Sequence, residues 1–147
     1  MSLNKKSFCI VCIANYCRSP VVENFLRNRF GEKYEFISAG ISPISLPNMD
    51  PRSLEFLREN NINHKFHTPK KINNRMLSYF DKFLAVDPYV LNQLNTIHPK
   101  FKKKFFSLTM QFNNISIVDP YHLQVDEYKK TMENIKYVVE GINLDEI

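Results

Sequence analysis

The first strongly apolar stretch, Phe8-Cys9-Ile10-Val11-Cys12, shows no alternation of polar and apolar positions. A run this short and continuous predicts a strand buried on both faces of a parallel sheet. It ends in the turn Ile13-Ala14-Asn15-Tyr16-Cys17. At Arg18-Ser19-Pro20 the pattern becomes helical, with Pro20 in the first turn, Val21, Val22, Phe25 and Leu26 behind it, and Gly31 as the stop. That predicts a helix over 19–29. A second strand is expected over 34–38, closed by Ser38-Ala39-Gly40, then a loop rich in Ser and Pro over 41–49. Asp50 as N-cap and Pro51 at the first position open the next helix, which Asn60-Asn61 ends.

The alternation continues to the C-terminus. A short helix over 72–79 precedes a third strand over 80–86, and Asp87-Pro88 opens a helix to about 95. The fourth strand is expected over 104–108. In the last helix, 126–141, Tyr128, Met132, Ile135, Val138 and Val139 recur at three- and four-residue spacing as core positions. The repeated β-α-β pattern with right-handed crossovers predicts parallel neighbours in one sheet. Ligand sites of such sheets gather at the carboxyl ends of the strands, where Cys12 lies.

Composition narrows the class. A chain of 147 residues with 44% apolar residues and twelve Phe suits one domain spanning 1–147 with a full core. No stretch approaches the roughly 20 apolar residues of a membrane span, and the N-terminus has no signal-peptide apolar region, so a cytoplasmic protein without membrane contact is expected. The three cysteines lie between positions 9 and 17. They form no disulfide framework and no zinc spacing with the four His, which fits a reducing compartment; no metal and no cofactor are expected. The net charge of +5 suits an anionic substrate. Its densest run, 100–104, precedes the fourth strand and reads as a solvated face opposite the Cys12 turn, and no aromatic ladder supports nucleic-acid binding.

The turn after Cys12 carries the chemistry. Backbone N–H groups of residues 13–18 at a helix N-terminus form an anion nest. A thiol at its lip is expected below the ordinary pKa of roughly 8.5, as a nucleophile. Arg18 presents a planar fork to two oxygens of a tetrahedral anion, and Ser19 can donate a hydrogen bond to the sulfur. Asp119, in Ile117-Val118-Asp119-Pro120-Tyr121-His122, is the candidate general acid, on a loop stiffened by Pro120. Asp50-Pro51 and Asp87-Pro88 have the same form and read as helix starts.

These residues resemble the low-molecular-weight protein tyrosine phosphatases. Cys12, Ile13, Ala14, Asn15, Tyr16, Cys17, Arg18, Ser19, Pro20 is similar to that family's phosphate loop, and Asp119-Pro120-Tyr121 to its acid loop. Ser38-Ala39-Gly40, Asp50-Pro51-Arg52 and Leu84-Ala85-Val86-Asp87 extend the likeness over essentially the whole chain. The resemblance implies a flavodoxin-like three-layer sandwich, strand order 2-1-3-4 with helices on both faces. It implies Cys12, Arg18 and Asp119 as catalytic, residues 13–19 as phosphate-binding, and Ser19, Ser38 and His67 as support for the loop through Asn15. Metal-independent hydrolysis of phosphotyrosine in proteins through a cysteinyl-phosphate follows, with a phosphorylated protein as partner, a bacterial tyrosine kinase or its targets among the candidates. A monomer or weak dimer is expected.

Departures mark what is open. Ala14 replaces the usual glycine, which strains the loop by roughly 1–2 kcal/mol if that position needs positive φ. The loop after Gly40 offers aliphatic Ile44 rather than an aromatic wall, as in bacterial members. Tyr16, Ile44, Tyr121 and His122 are the candidate pocket residues, with Tyr16 either in the pocket or turned away. Cys17 either traps an oxidised Cys12 or packs behind the loop. The alternatives are a protein arginine phosphatase of the same fold and a phosphate-binding module without turnover. A thioredoxin-coupled arsenate reductase needs later cysteines, and none follows Cys17.

Overall fold

All six residues of β1, Ser7–Cys12, are buried, as an apolar strand with a neighbour on each side and a layer on each face must be. A computed structural model describes residues 4–147; the part of the N-terminal reading that rests on Met1, Ser2 and Leu3 lies outside them. Among the described residues β1 pairs in parallel with β2, Glu35–Gly40, and with β3, Lys82–Ala85, while β3 also pairs with β4, Phe105–Ser107. The order is β2-β1-β3-β4, as expected. The chain leaves β1 toward one edge through α1, Ser19–Phe30, and leaves β3 toward the other through α4, Pro88–Ile97. Right-handed crossovers running in opposite directions put α1 and α4 on opposite faces, with the switch point at the carboxyl ends of β1 and β3.

On the α1 face, α2, Pro51–Glu59, and α5, Val125–Gly141, pack against α1 and each other. The expected core positions of α5, Tyr128, Met132, Ile135, Val138 and Val139, are all buried, together with Thr131. Residues Ser19 to Leu26 of α1 are buried without interruption, because that helix starts inside the molecule rather than at its surface. Gly31, at φ 56°, ends it in a left-handed turn that favours glycine.

The boundaries differ from the sequence expectation where side chains decide them. β2 runs on through Gly40, which pairs with Cys12. β3 starts at Lys82 rather than residue 80. Phe80 caps α3, Asn74–Tyr79, and the Asp81 carboxylate accepts hydrogen bonds from the Ser7 N–H and hydroxyl at 2.8 and 3.1 Å. The basic run lies in a 3-10 turn, Pro99–Lys104. Lys104 is not part of a freely solvated face: its ammonium donates to the carbonyls of Leu77, Ser78 and Phe80 at the end of α3, where the helix dipole favours a cation.

Candidate active site

Cys12 ends β1, and the chain then bends through residues 13–18 into α1. Among the described residues, the N–H groups of Ile13, Ala14, Tyr16, Cys17 and Arg18 donate to no protein acceptor, while that of Asn15 points at the Cys12 sulfur, 3.2 Å away. Adjacent unpaired donors at a helix N-terminus are a site for an anion. The Cys12 sulfur also lies 2.9 Å from the Ser19 hydroxyl.

Asn15 holds this loop in shape. It has no solvent exposure, and its φ of 54° is left-handed, a region that Asn tolerates better than other side-chain-bearing residues. The Lys70 N–H donates to its Oδ1 at 2.9 Å, so its Nδ2 faces the hydroxyls of Ser19 and Ser38, at 2.8 and 3.0 Å. With that lone pair engaged, the Ser19 proton is free for the sulfur. Ser38 in turn donates to Glu23 at 2.5 Å, and Glu23 pairs with Arg27 at 2.7 Å. His67 Nε2 donates to the Asn15 carbonyl at 2.7 Å. Burial lowers the His67 pKa below its ordinary value, with the Asn15 hydrogen bond acting in the opposite direction.

The loop is also pressed against β2. A Cβ on Gly40 would lie 2.7 Å from the Ile13 carbonyl oxygen and 2.9 Å from the Asn15 nitrogen, so only glycine admits this approach. Ala14 is not among the residues with positive φ. The expectation of strain at Ala14 is therefore corrected: the left-handed turn falls on Asn15, and an alanine before it costs nothing.

Arg18, 2% exposed, is tied down through one nitrogen, Nη1, which donates to Asp87 Oδ2 at 2.6 Å and to the Ile117 carbonyl at 2.8 Å. Its Nε and Nη2 have no acceptor among the described residues, which leaves a planar edge for two anion oxygens. Cys12 and Arg18 line a cavity of 180 Å³ with Ile13, Ala14, Cys17, Ile44, Asp119 and Tyr121. A larger cleft of 650 Å³ at the start of β1 contains Lys5, Glu32, Tyr79 and Asp81 but no cysteine.

Of the expected pocket residues, Ile44 and Tyr121 line this cavity. Tyr16 does not. It is 7% exposed and meets Tyr121 edge-on, ring centres 6.1 Å apart. His122 also stands outside, edge-on to Tyr121 at 4.8 Å. Cys17 lines the cavity but is buried, its sulfur 3.8 Å from Asp50 Oδ2, and burial pushes its thiol pKa up to about 12.

A model of the low molecular weight phosphotyrosine protein phosphatases matches residues 7–145. The chain belongs to this family. Among curated relatives, a probable low molecular weight protein-tyrosine-phosphatase, EpsP, of Ralstonia nicotianae is 28% identical over 92% of each chain. An arsenate reductase of Staphylococcus xylosus is 25% identical over 97% of this chain and 99% of its own. The Escherichia coli K30 tyrosine phosphatase Wzb, solved in complex with sulphate, superposes with a TM-score of 0.85 at 22% identity, over 93% of this chain and 95% of that one. The protein is thus a member of a phosphatase enzyme family with the flavodoxin-like fold.

Three residues at this family site escape the sequence reading. Asp87 has the same Asp-Pro form as a plain helix cap and does cap α4, with Oδ1 accepting from the Val90 N–H at 2.8 Å; its other oxygen holds Arg18. The available signal was its place directly after β3, beside β1. Glu23 is a carboxylate one helical turn after Ser19 on a wholly buried stretch, which demands partners. Arg52, beyond its place in the helix-opening motif, gave no sign of its contacts.

Proposed function

We propose that the protein hydrolyses phosphotyrosine in proteins, without a metal, through a cysteinyl-phosphate on Cys12. The observation that carries this reading is the meeting of the Cys12 sulfur, the unpaired loop amides, the free edge of Arg18 and the Asp119 side chain around one cavity. The amides and Arg18 hold three phosphoryl oxygens and the charge that spreads over them in the transition state. The Cys12 thiolate attacks phosphorus in line; the S–P bond forms as the bond to the tyrosyl oxygen breaks, and Asp119 gives its proton to that oxygen. Water then attacks the phosphocysteine, Asp119 takes its proton, and the thiolate leaves toward the Ser19 hydroxyl. The Tyr121 and Ile44 walls suit an aryl leaving group. Arg18 and the nest already supply the positive charge that the dianion requires. Three free thiols fit work in the cytoplasm, and a phosphorylated kinase or its target protein is the partner we favour. An arsenate reductase relay has no thiol after Cys17 to run through.

The test is rapid mixing of the reduced protein with p-nitrophenyl phosphate in EDTA. A burst and turnover are expected, absent in Cys12→Ser and slowed by roughly 10²–10⁴-fold in Asp119→Asn. No turnover with phosphate still bound would leave a binding module. Turnover of phosphoarginine but not of phosphotyrosyl peptides would move the substrate class to arginine.

A further inference from the structure

Arg52 stands outside the cavity yet joins its two halves. Its guanidinium pairs twice with Asp50, Nε to Oδ1 at 3.0 Å and Nη2 to Oδ2 at 2.9 Å. It lies over the Tyr128 ring, 4.0 Å from the centre. So oriented, it donates from Nη2 to the Tyr121 carbonyl and from Nη1 to the Leu123 carbonyl, both at 3.0 Å. Asp50, buried at the start of α2, also donates its own N–H to the Tyr16 carbonyl at 3.0 Å. The chain of contacts therefore runs from the phosphate loop through Asp50 and Arg52 to the loop that carries Asp119.

Besides the two Arg52 bonds, that second loop closes one turn of its own, in which the Leu123 N–H donates to the Pro120 carbonyl at 2.9 Å. Ile117 is anchored by Arg18, and Pro120 is buried, but Asp119, Tyr121 and His122 are exposed. Within it the Tyr121 N–H donates to Asp119 Oδ1 at 3.2 Å, so Asp119 takes its direction from Tyr121, the residue whose carbonyl Arg52 holds. The other carboxyl oxygen, Oδ2, makes no hydrogen bond among the described residues. A rigid fork on two carbonyls of one short loop fixes both its height and its tilt, which a single ammonium cannot do.

We propose that Arg52 is a positioning residue for Asp119, setting the acid loop over the phosphate loop so that its loss costs proton delivery and not phosphate binding; this rests on the reading of Asp119 as the acid. Arg52→Met would leave the buried Asp50 carboxylate unpaired and threaten folding. Arg52→Lys keeps a cation beside Asp50 while giving up the fork. The measurement is kcat/KM for phenyl phosphate and for 2,4-dinitrophenyl phosphate, whose leaving group needs no proton, with inhibition by inorganic phosphate as the binding readout. Arg52→Lys is expected to lower kcat/KM for phenyl phosphate by roughly 10- to 100-fold. The value for the dinitrophenyl ester and the phosphate inhibition constant should hold within about twofold, and the variant should add nothing in an Asp119→Asn background. Equal losses on both esters, weakened phosphate, or a full additive loss in the Asp119→Asn background would each overturn the proposal and leave Arg52 a structural clamp. If Asp119→Asn itself spares phenyl phosphate, the acid assignment fails first, and this one with it.

Discussion

The two loops that meet over Cys12 are built on opposite terms. In the phosphate loop Asn15, Arg18 and Ser19 are buried and hydrogen-bonded: the Asn15 side chain alone engages Ser19, Ser38 and Lys70, and its carbonyl accepts from His67. The acid loop is exposed at Asp119, Tyr121 at 37% and His122, and beyond Pro120 the carbonyls of Tyr121 and Leu123 rest on Arg52. On the proposed mechanism, the half that would meet the charge of the phosphoryl group is fixed in advance, as electrostatic stabilisation requires. The half that would meet the leaving group is free to adapt. The two can therefore be disturbed separately, and the effects should differ in kind.

The largest separation should come from Gly40→Ala. The added carbon would meet two backbone atoms of the phosphate loop below 3 Å, the Ile13 oxygen and the Asn15 nitrogen. Backbone cannot rotate aside as a side chain does, so the loop must move off its position. A shift of this size costs on the order of 10²-fold in turnover. Both esters, good and poor leaving group alike, should lose activity together, and phosphate inhibition should weaken. A loss confined to phenyl phosphate would mean that Gly40 acts on the acid loop and that the two halves are not separable.

A smaller effect concerns pH. Burial lowers the His67 pKa, so the unfolded chain takes up a proton near the ordinary value of about 6.5 while the folded protein still holds the neutral ring on the Asn15 carbonyl. Between those two values the unfolded state binds more protons. Stability is therefore complete above about pH 6.5 and falls as pH drops through that value. In His67→Gln, which keeps an N–H for Asn15, urea unfolding at pH 7 and pH 5 should show a smaller drop than in the native protein. An equal drop in both would assign the pH dependence to other groups.

The chain shows which parts of such a site can be read in advance. Cys12, Arg18 and Ser19 were legible because an anion nest needs a strand, a turn and a helix start in one contiguous stretch. The parallel pairing followed because β-α-β crossovers have one hand, whereas the strand order came from the family resemblance. Asp87 and Asp119 share the Asp-Pro form, and nothing local says that one carboxylate turns to Arg18 while the other lines the cavity. The contacts of Glu23 and Arg52 come from packing between distant segments, such as Arg52 under the carbonyls of Tyr121 and Leu123. Strand β3 is shorter than its apolar run because the Asp81 carboxylate is spent on Ser7. Tyr16 stayed open in the sequence because nothing local says that its ring meets Tyr121 rather than the cavity.

The left-handed Asn15 settles what Ala14 does, through a prediction of sign. A strained alanine would be relieved by glycine, and Ala14→Gly would then stabilise the protein by roughly 1–2 kcal/mol. With the positive φ on Asn15 and not on Ala14, glycine relieves nothing and only widens the range of the unfolded chain. Urea unfolding of Ala14→Gly should show a loss of about 0.4–1 kcal/mol, with turnover held within about threefold because the Asn15 hydrogen bonds still impose the loop's shape. A gain in stability would place the strain back on Ala14 and make the phosphate loop less settled than its buried partners imply. A loss would mean that this loop reaches its shape without the usual glycine, by letting a fully hydrogen-bonded asparagine take the left-handed turn.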